Sequence, residues 1–166
     1  MRIYLTQHGE ALAKDVDRER PLSEQGRADV QRLAEFLREK EVRVEHIWHS
    51  GKTRAEQTAA LIADAILPDG QPEARPGLGP NDLVEPVAVS LGAWPSDLAL
   101  VGHLPFLRHL AGLLLDTEPD PATLAFEPGS MACLERDAAD HWALLWMLRP
   151  GQLASQPPLS GSASGS

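Results

Sequence analysis

Residues 3–9 read Ile3-Tyr4-Leu5-Thr6-Gln7-His8-Gly9, a short apolar run that stops at a histidine and a glycine. The composition is typical of a buried strand, and the glycine lets the backbone turn sharply beside the histidine. A histidine that ends a buried strand is exposed at the carboxyl edge of its sheet, where α/β proteins place their sites. The stretch therefore predicts both the first strand of an α/β fold and the beginning of a functional site.

Two later stretches repeat this arrangement of an apolar run followed by a basic or imidazole side chain. One ends in Ser50-Gly51-Lys52-Thr53-Arg54, and the other is Val101-Gly102-His103-Leu104-Pro105. Because the carboxyl ends of parallel strands share one edge of a sheet, we expect the three stretches to form one composite site. Histidines and cations gathered there would suit a phosphate group.

Apolar runs alternate with helical patterns along the chain. The pattern predicts strands at 2–7, 44–49 and 97–101, a hairpin of 130–135 and 142–148, and helices at 23–41, 52–66, 82–91 and 105–115. We also expect Trp142 and Trp146 to share one face of the last strand. This alternation predicts an α/β fold, a three-layer α/β/α sandwich around a mostly parallel sheet.

The composition indicates one soluble domain. The chain has 166 residues, of which 43% are hydrophobic and 23% charged, and that is enough for one core. We assign residues 1–149 to this domain. Residues 150–166 are rich in Pro, Gly and Ser, which predicts a flexible tail.

The net charge of -9 argues against nucleic acids and anionic membranes as partners. Any phosphate site must then be a local concentration of cations. No run approaches ~18 apolar residues, and the N-terminus lacks a signal pattern, so we expect a cytoplasmic protein. The single cysteine, Cys133, excludes an intramolecular disulfide and lies in an apolar run typical of a buried strand.

Four side chains are candidates for chemistry. A neutral imidazole at His8 can attack phosphorus, and His103 can bond to a phosphoryl group or move protons near pH 7. Arg20 precedes Pro21, and a residue before proline favours an extended backbone. Arg54 lies in the first turn of a predicted helix, where its charge is repelled by the helix dipole and a bound anion would compensate this repulsion. Taken singly, His8, Arg20 and His103 each fit an ordinary polar residue better than a site residue, and Arg54 fits both equally well.

Together these residues resemble the histidine phosphatase superfamily, and within it the small SixA-like phosphohistidine phosphatases. The resemblance covers about residues 1–149. It rests on Gln7-His8-Gly9-Glu10-Ala11, on Arg20-Pro21-Leu22-Ser23 with Gly26, on the stretch from Ser50 to Thr58, and on Val101 to Pro105. The family implies a phosphoglycerate mutase-like fold.

The resemblance also implies a role for each candidate. His8 is the expected nucleophile, which becomes transiently phosphorylated, while Arg54 and His103 are the other expected catalytic residues. Arg20, Gly9 and Gln7 are expected to bind the phosphoryl group. We expect no metal and no cofactor, because the arginines neutralise the charge that magnesium handles elsewhere. The expected partner is a protein that carries phosphohistidine.

One position departs from the family pattern, because Gln7 stands where the family has arginine. Glutamine still offers an N–H but supplies neither charge nor a bidentate fork. Losing a charge-assisted bond in the transition state would slow turnover roughly 10-fold or more. Two alternatives therefore stay open: a phosphatase for a small metabolite, which would need a general acid such as Asp82 or Glu85, and a phospho-ligand binding module with little turnover.

Overall fold

The structure is a computed structural model that describes residues 1–120 and 123–154. Within these ranges the elements are, in chain order, β1 (Arg2–Gln7), α1 (Glu24–Glu39), β2 (His46–His49), α2 (Thr53–Ile66), β3 (Glu73–Ala74), α3 (Glu85–Gly92), β4 (Leu98–Gly102), α4 (Phe106–Leu114), β5 (Met131–Arg136), β6 (Trp142–Leu148) and α5 (Pro150–Ala154). None of these helices is long and apolar enough to cross a membrane.

The strands form one sheet in the order β3-β2-β4-β1-β5-β6. β1, β2, β3 and β4 run parallel to one another, whereas β5 pairs antiparallel with both β1 and β6. Helices cover both faces, because one core packs beneath α1 and α2 and the other beneath α3 and α4. The predicted three-layer α/β/α fold with a mostly parallel sheet is confirmed.

Helix α1 forms where its sequence predicts. Ser23 is the N-cap, and its hydroxyl accepts the backbone N–H of Gly26, which satisfies one of the first free donors of the helix. Val30, Leu33 and Leu37 recur at helical spacing and are fully buried against the sheet. The helix therefore starts next to the carboxyl end of β1 and runs back toward the opposite edge of the sheet.

The prediction that the two tryptophans of β6 share one face of the strand is wrong. Trp146 pairs with Cys133 and packs in the core beneath α1 and α2, whereas Trp142 packs in the other core. A β-bulge is the reason: Trp146 and Leu144 pair with consecutive residues of β5, so Leu145 has no counterpart. An extra residue reverses the alternation of side chains, and nothing in the local pattern announces it.

The chain continues as ordered structure beyond the domain boundary expected at residue 149. Residues 150–154 form the short helix α5, and Leu153 packs against the core beneath α1. The remainder of the predicted flexible tail, residues 155–166, lies outside the described residues.

Candidate active site

The carboxyl ends of three neighbouring strands meet at one edge of the sheet. The order β2-β4-β1 places Ser50, His103 and His8 there, each directly after its strand. Gln7 pairs with Gly102 in the sheet, and the backbone N–H of His8 extends the ladder by donating to the Gly102 carbonyl oxygen at 3.1 Å. The predicted convergence of the histidine-bearing strand ends is thus present in the fold.

The ring of His8 is fixed by hydrogen bonds at both nitrogens. Nδ1 lies 2.7 Å from the Gly9 carbonyl oxygen, which can only accept, so Nδ1 carries the proton. Nε2 therefore presents its lone pair, and the Arg54 Nε–H donates to it at 3.3 Å. Burial is the main cause that lowers the pKa of His8 to about 4, with smaller contributions from the charges of Arg54 and Arg20, against the Gly9 bond that raises it. At neutral pH the ring is therefore uncharged, with an unprotonated Nε2 beside Arg54.

Glycines let the segment after His8 lie directly on α1. A Cβ at Gly9 would come within 2.8 Å of Val30 Cγ2 and 2.9 Å of the Gly26 carbonyl oxygen. The Gly9 N–H donates to Thr58 Oγ1 at 3.0 Å, and the same hydroxyl donates to the Arg54 carbonyl oxygen at 2.8 Å. Thr58 therefore joins the turn after His8 to the helix that carries Arg54.

His103 is almost fully buried beside His8, with its ring centroid 5.0 Å from that of His8. Its Nε2 lies 2.6 Å from Ser50 Oγ, and its Nδ1 is buried without a hydrogen-bond partner among the described residues. Burial lowers the pKa of His103 to about 3, and electrostatic interactions with His8, Arg54, Lys52 and Arg20 lower it further, in that order. The ring is neutral at physiological pH and lies within the field of all these groups.

The two arginines interact electrostatically. Burial and then the charge of Arg20 lower the pKa of Arg54. Arg20 differs from the extended conformation predicted for a residue before proline, because its φ is 48°. The loop folds back on itself here: Leu12 N–H donates to the Pro21 carbonyl oxygen, and Arg20 Nε donates to the Leu12 carbonyl oxygen at 3.1 Å. These loop contacts override the local preference.

Gln7 is buried at the end of β1, with 8% of its surface exposed. Its backbone N–H donates to the Ser130 carbonyl oxygen, but its Oε1 has no hydrogen-bond partner within residues 1–120 and 123–154. A buried amide oxygen without a partner is costly in a protein interior. Gln7 therefore leaves a polar group unsatisfied next to His8 and brings no charge to the site.

Neither carboxylate suggested as a general acid is tied to these residues. Asp82 Oδ2 accepts the Gly79 N–H at 2.7 Å and so closes its own turn, and Glu85 begins α3. In the described parts of the chain, no hydrogen bond or ion pair joins either one to His8, Arg54 or His103.

The sequence patterns did not assign roles to two residues that the structure brings into the site. Ser50 bonds to His103, and Thr58 bonds to Gly9 and to the Arg54 backbone. Both lie in the quoted stretch from Ser50 to Thr58. The spacing of Arg54 and Thr58, four residues apart on one helix face, is the signal that could have revealed the second.

The site combines two neutral imidazoles and at least two cations, with no carboxylate bonded to either cation among the described residues. Cations without a counter-ion at the edge of an acidic protein form a place for an anion. An anion whose central atom can be attacked by Nε2 of His8 fits this geometry. The arrangement is therefore chemically suited to phosphoryl transfer.

Comparisons with known proteins agree with the motifs. Residues 3–79 match the model of the histidine phosphatase superfamily (branch 1). Over 158 residues the chain is 27% identical to the phosphohistidine phosphatase SixA of Escherichia coli strain K12, which covers 92% of this chain and 96% of that protein. The resemblance inferred from the sequence is confirmed.

Solved structures support the same fold. A structure of the protein histidine phosphatase SixA complexed with tungstate superimposes with a TM-score of 0.82, at 25% identity, covering 92% of this chain and 99% of that one. A phosphoglycerate mutase from Plasmodium falciparum has a TM-score of 0.67 at 18% identity, covering 86% of this chain and 87% of that one, and shows the fold alone. The expected phosphoglycerate mutase-like architecture is confirmed.

Proposed function

We propose that this chain, which the motifs and the family match identify with the histidine phosphatase superfamily, hydrolyses phosphohistidine on a signalling or phosphotransfer protein through a phosphorylated His8. The resemblance to SixA supports phosphatase activity, and its name supports phosphohistidine as the substrate class. A cytoplasmic location and a slower turnover caused by Gln7 belong to the same proposal.

The observation that carries the proposal is the orientation of His8. Its proton is held on Nδ1 by the Gly9 carbonyl, so Nε2 is unprotonated, and its lone pair accepts the Arg54 Nε–H beside the ring of His103. A nucleophile needs this combination of fixed ring, correct tautomer and low pKa. The nearby cations would bind the oxygens of the transferred group.

The reaction proceeds in two displacements. His8 Nε2 attacks phosphorus, the bond from phosphorus to the substrate's ring nitrogen breaks, and that nitrogen keeps the bonding electron pair. Water then attacks the phosphorus on His8, the new P–N bond breaks, and inorganic phosphate leaves as Nε2 regains its lone pair. Arg54 and Arg20 hold the phosphoryl oxygens through both steps, and His103 contacts the same group.

A nitrogen leaving group is compatible with a site in which neither Asp82 nor Glu85 bonds to His8, Arg54 or His103 among the described residues. A protonated phosphohistidine has an activated P–N bond, so a strong general acid matters less than it does for a phosphate ester. Asp82 is already bonded within its own turn. Tungstate, bound in the SixA structure, is an oxyanion like phosphate.

The direct test is phosphate release from a phosphohistidine-bearing protein. We expect the wild-type chain to release phosphate without added metal, and His8→Ala to slow release by on the order of 10³-fold, because the nucleophile is lost. His109→Ala is the matched control, since this exposed histidine lies on α4 outside the site. A transient phosphoenzyme, labile in acid and absent from His8→Ala, should appear during wild-type turnover.

Other outcomes would select the alternatives. Faster hydrolysis of a small phosphate ester than of phosphohistidine would indicate a metabolite phosphatase with the same nucleophile. Binding of inorganic phosphate without any turnover, restored to turnover by Gln7→Arg, would indicate a phospho-ligand binding module. Release that His8→Ala leaves unchanged would contradict the proposed nucleophile.

A further inference from the structure

Lys52 is a cation beside the proposed site that no step above uses. It is the N-cap of α2, two residues before Arg54, and its side chain makes no cap hydrogen bond. The residue is exposed, and within residues 1–120 and 123–154 no ion pair or cation–π contact is formed by its ammonium group. Its charge is therefore available to a ligand.

The backbone of Lys52 is fixed relative to the histidines. Its N–H donates to Ser50 Oγ at 3.3 Å, and the same oxygen lies 2.6 Å from His103 Nε2. Lys52 is thus two hydrogen bonds away from a ring that packs on His8. A long, flexible side chain that starts from a fixed point at the rim can reach an oxyanion held between His8 and Arg54.

The electrostatics indicate the same place. The charge of Lys52 helps to lower the pKa of His103, ahead of the contribution of Arg20, so the ammonium group acts on the buried ring. Lys52 and Arg54 both lie at the N-terminus of α2, where cations are unfavourable and an anion is stabilised. A doubly charged phosphoryl group would remove this repulsion.

Gln7 explains why such a cation would be needed. The residue directly before His8 is neutral, and its buried Oε1 has no partner among the described residues. The remaining cations of the site are then Arg20, in the loop before α1, and Arg54, in α2. Three phosphoryl oxygens share the negative charge, so a further cation would add transition-state stabilisation.

We propose that Lys52 is a substrate-binding residue whose ammonium group completes the phosphate clamp with Arg20 and Arg54, in the place of a charge that Gln7 does not supply. This inference deepens the proposed function and rests on it for turnover, but not for phosphate binding. The ligand chemistry is a phosphoryl or other tetrahedral oxyanion.

Two charge-matched variants test the position of the charge. Lys52→Met and Lys40→Met each make the net charge more negative by one, but Lys40 follows α1 at the opposite edge of the sheet. Titration calorimetry with inorganic phosphate should show about 10-fold weaker binding for Lys52→Met, and binding by Lys40→Met within about 2-fold of wild type. In phosphohistidine hydrolysis, kcat/KM should fall by a similar factor for Lys52→Met alone.

Adding a cation at residue 7 tests whether the two positions substitute for each other. Gln7→Arg should raise phosphate affinity and kcat/KM more in the Lys52→Met background than in the wild type, which is a coupling measured by a double-mutant cycle. Lys52→Arg should keep phosphate affinity within about 3-fold of wild type, because the charge is retained.

The results distinguish this inference from the proposed function. Weaker phosphate binding by Lys52→Met, together with no hydrolysis of phosphohistidine by the wild type, would keep the clamp and reject the phosphohistidine activity. Equal phosphate affinity of Lys52→Met and Lys40→Met would overturn the inference. Independent effects of Gln7→Arg and Lys52→Met in the cycle would overturn the claim that Lys52 replaces the charge at residue 7. Unchanged circular dichroism spectra of both lysine variants would confirm that they are folded.

Discussion

The protonation state of His8 depends on where its ring lies and not on residue type alone. Burial makes protonation unfavourable, and the bond from Nδ1 to the Gly9 carbonyl oxygen selects the tautomer. An exposed histidine would lose both, because water solvates either tautomer and the charged form alike. The turn at Gly9 therefore determines which nitrogen of His8 is unprotonated.

A titration of His8 would check this description. We expect its midpoint near pH 4, as lowered by burial and by the charges of Arg54 and Arg20, so the ring should be neutral at pH 5.5. An unperturbed histidine, with a pKa of about 6.5, would be mostly protonated at that pH. Nitrogen-15 NMR of the imidazole in the ligand-free protein measures both the midpoint and the tautomer. A midpoint near 6.5, or a proton found on Nε2, would contradict the description.

At the residue scale, the sequence allows candidate site residues to be selected where they follow strands, but it does not identify the residues that hydrogen-bond to them. His8, Arg54 and His103 could be selected because each follows an apolar run directly or within a few residues. Ser50 and Thr58 were not assigned roles, because a serine or threonine forms many hydrogen bonds and only the fold determines which. The catalytic roles of His8, Arg54 and His103 and the binding of the phosphoryl group by Gln7, Gly9 and Arg20 remain predictions.

At the scale of elements, His8 is positioned because the turn after β1 packs closely against the start of α1. A Cβ at Gly26 would lie 2.0 Å from the Glu10 carbonyl oxygen, far inside contact distance. Ser23 reinforces the approach, since its N–H donates to that same carbonyl oxygen at 2.9 Å. The glycine in the motif is therefore explained by a close contact between two backbones.

We expect Gly26→Ala to destabilise the fold by about 2 kcal/mol or more, because the added methyl group collides with backbone that cannot rotate away. Gly92→Ala in α3 is the matched control, as nothing lies within 4 Å of its Cβ position. There alanine should be neutral or slightly stabilising. Urea unfolding curves of both variants give the comparison, and equal unfolding midpoints would refute the close contact.

Predictions at this scale were accurate for the existence of elements and failed at two irregularities. Helices and strands were predicted from the pattern of apolar residues, which is clear in α1 and β1. The bulge at Leu145 adds one residue to β6 without changing its apolar character, so the local pattern contains no sign of it. Residues 150–154 form a helix although the composition there is typical of a loop, and α1 supplies the surface against which Leu153 packs.

At the scale of the molecule, stability and the site are linked through protons. The folded protein holds His103 and His8 neutral, with pKa values of about 3 and 4, and burial also lowers the pKa of His49. The unfolded chain takes up protons at these residues below about pH 6.5. Since the folded state does not, acid favours unfolding in this range.

We therefore expect the melting temperature to fall as the pH decreases from 6.5 to 5, a range in which unperturbed carboxylates stay ionised. Each histidine whose pKa is lowered changes the free energy of unfolding by at most about 1.4 kcal/mol per pH unit. Its full contribution to stability is present above pH 6.5. His103→Gln should make the decline shallower, whatever its effect on stability at pH 7. Differential scanning calorimetry across this range tests the slope, and an identical slope in the variant would exclude His103 as a source.

Under the proposed function, the contrast between an acidic molecule and the cations near one sheet edge would also affect how the partner approaches. With a net charge of -9, most of the surface would repel an anionic phosphoprotein, whereas Arg20, Lys52 and Arg54 would attract its phosphate. These charges would orient the partner before the two proteins come into contact. Added salt should weaken both effects, so the rate of association, more than the chemistry that follows, would depend on ionic strength.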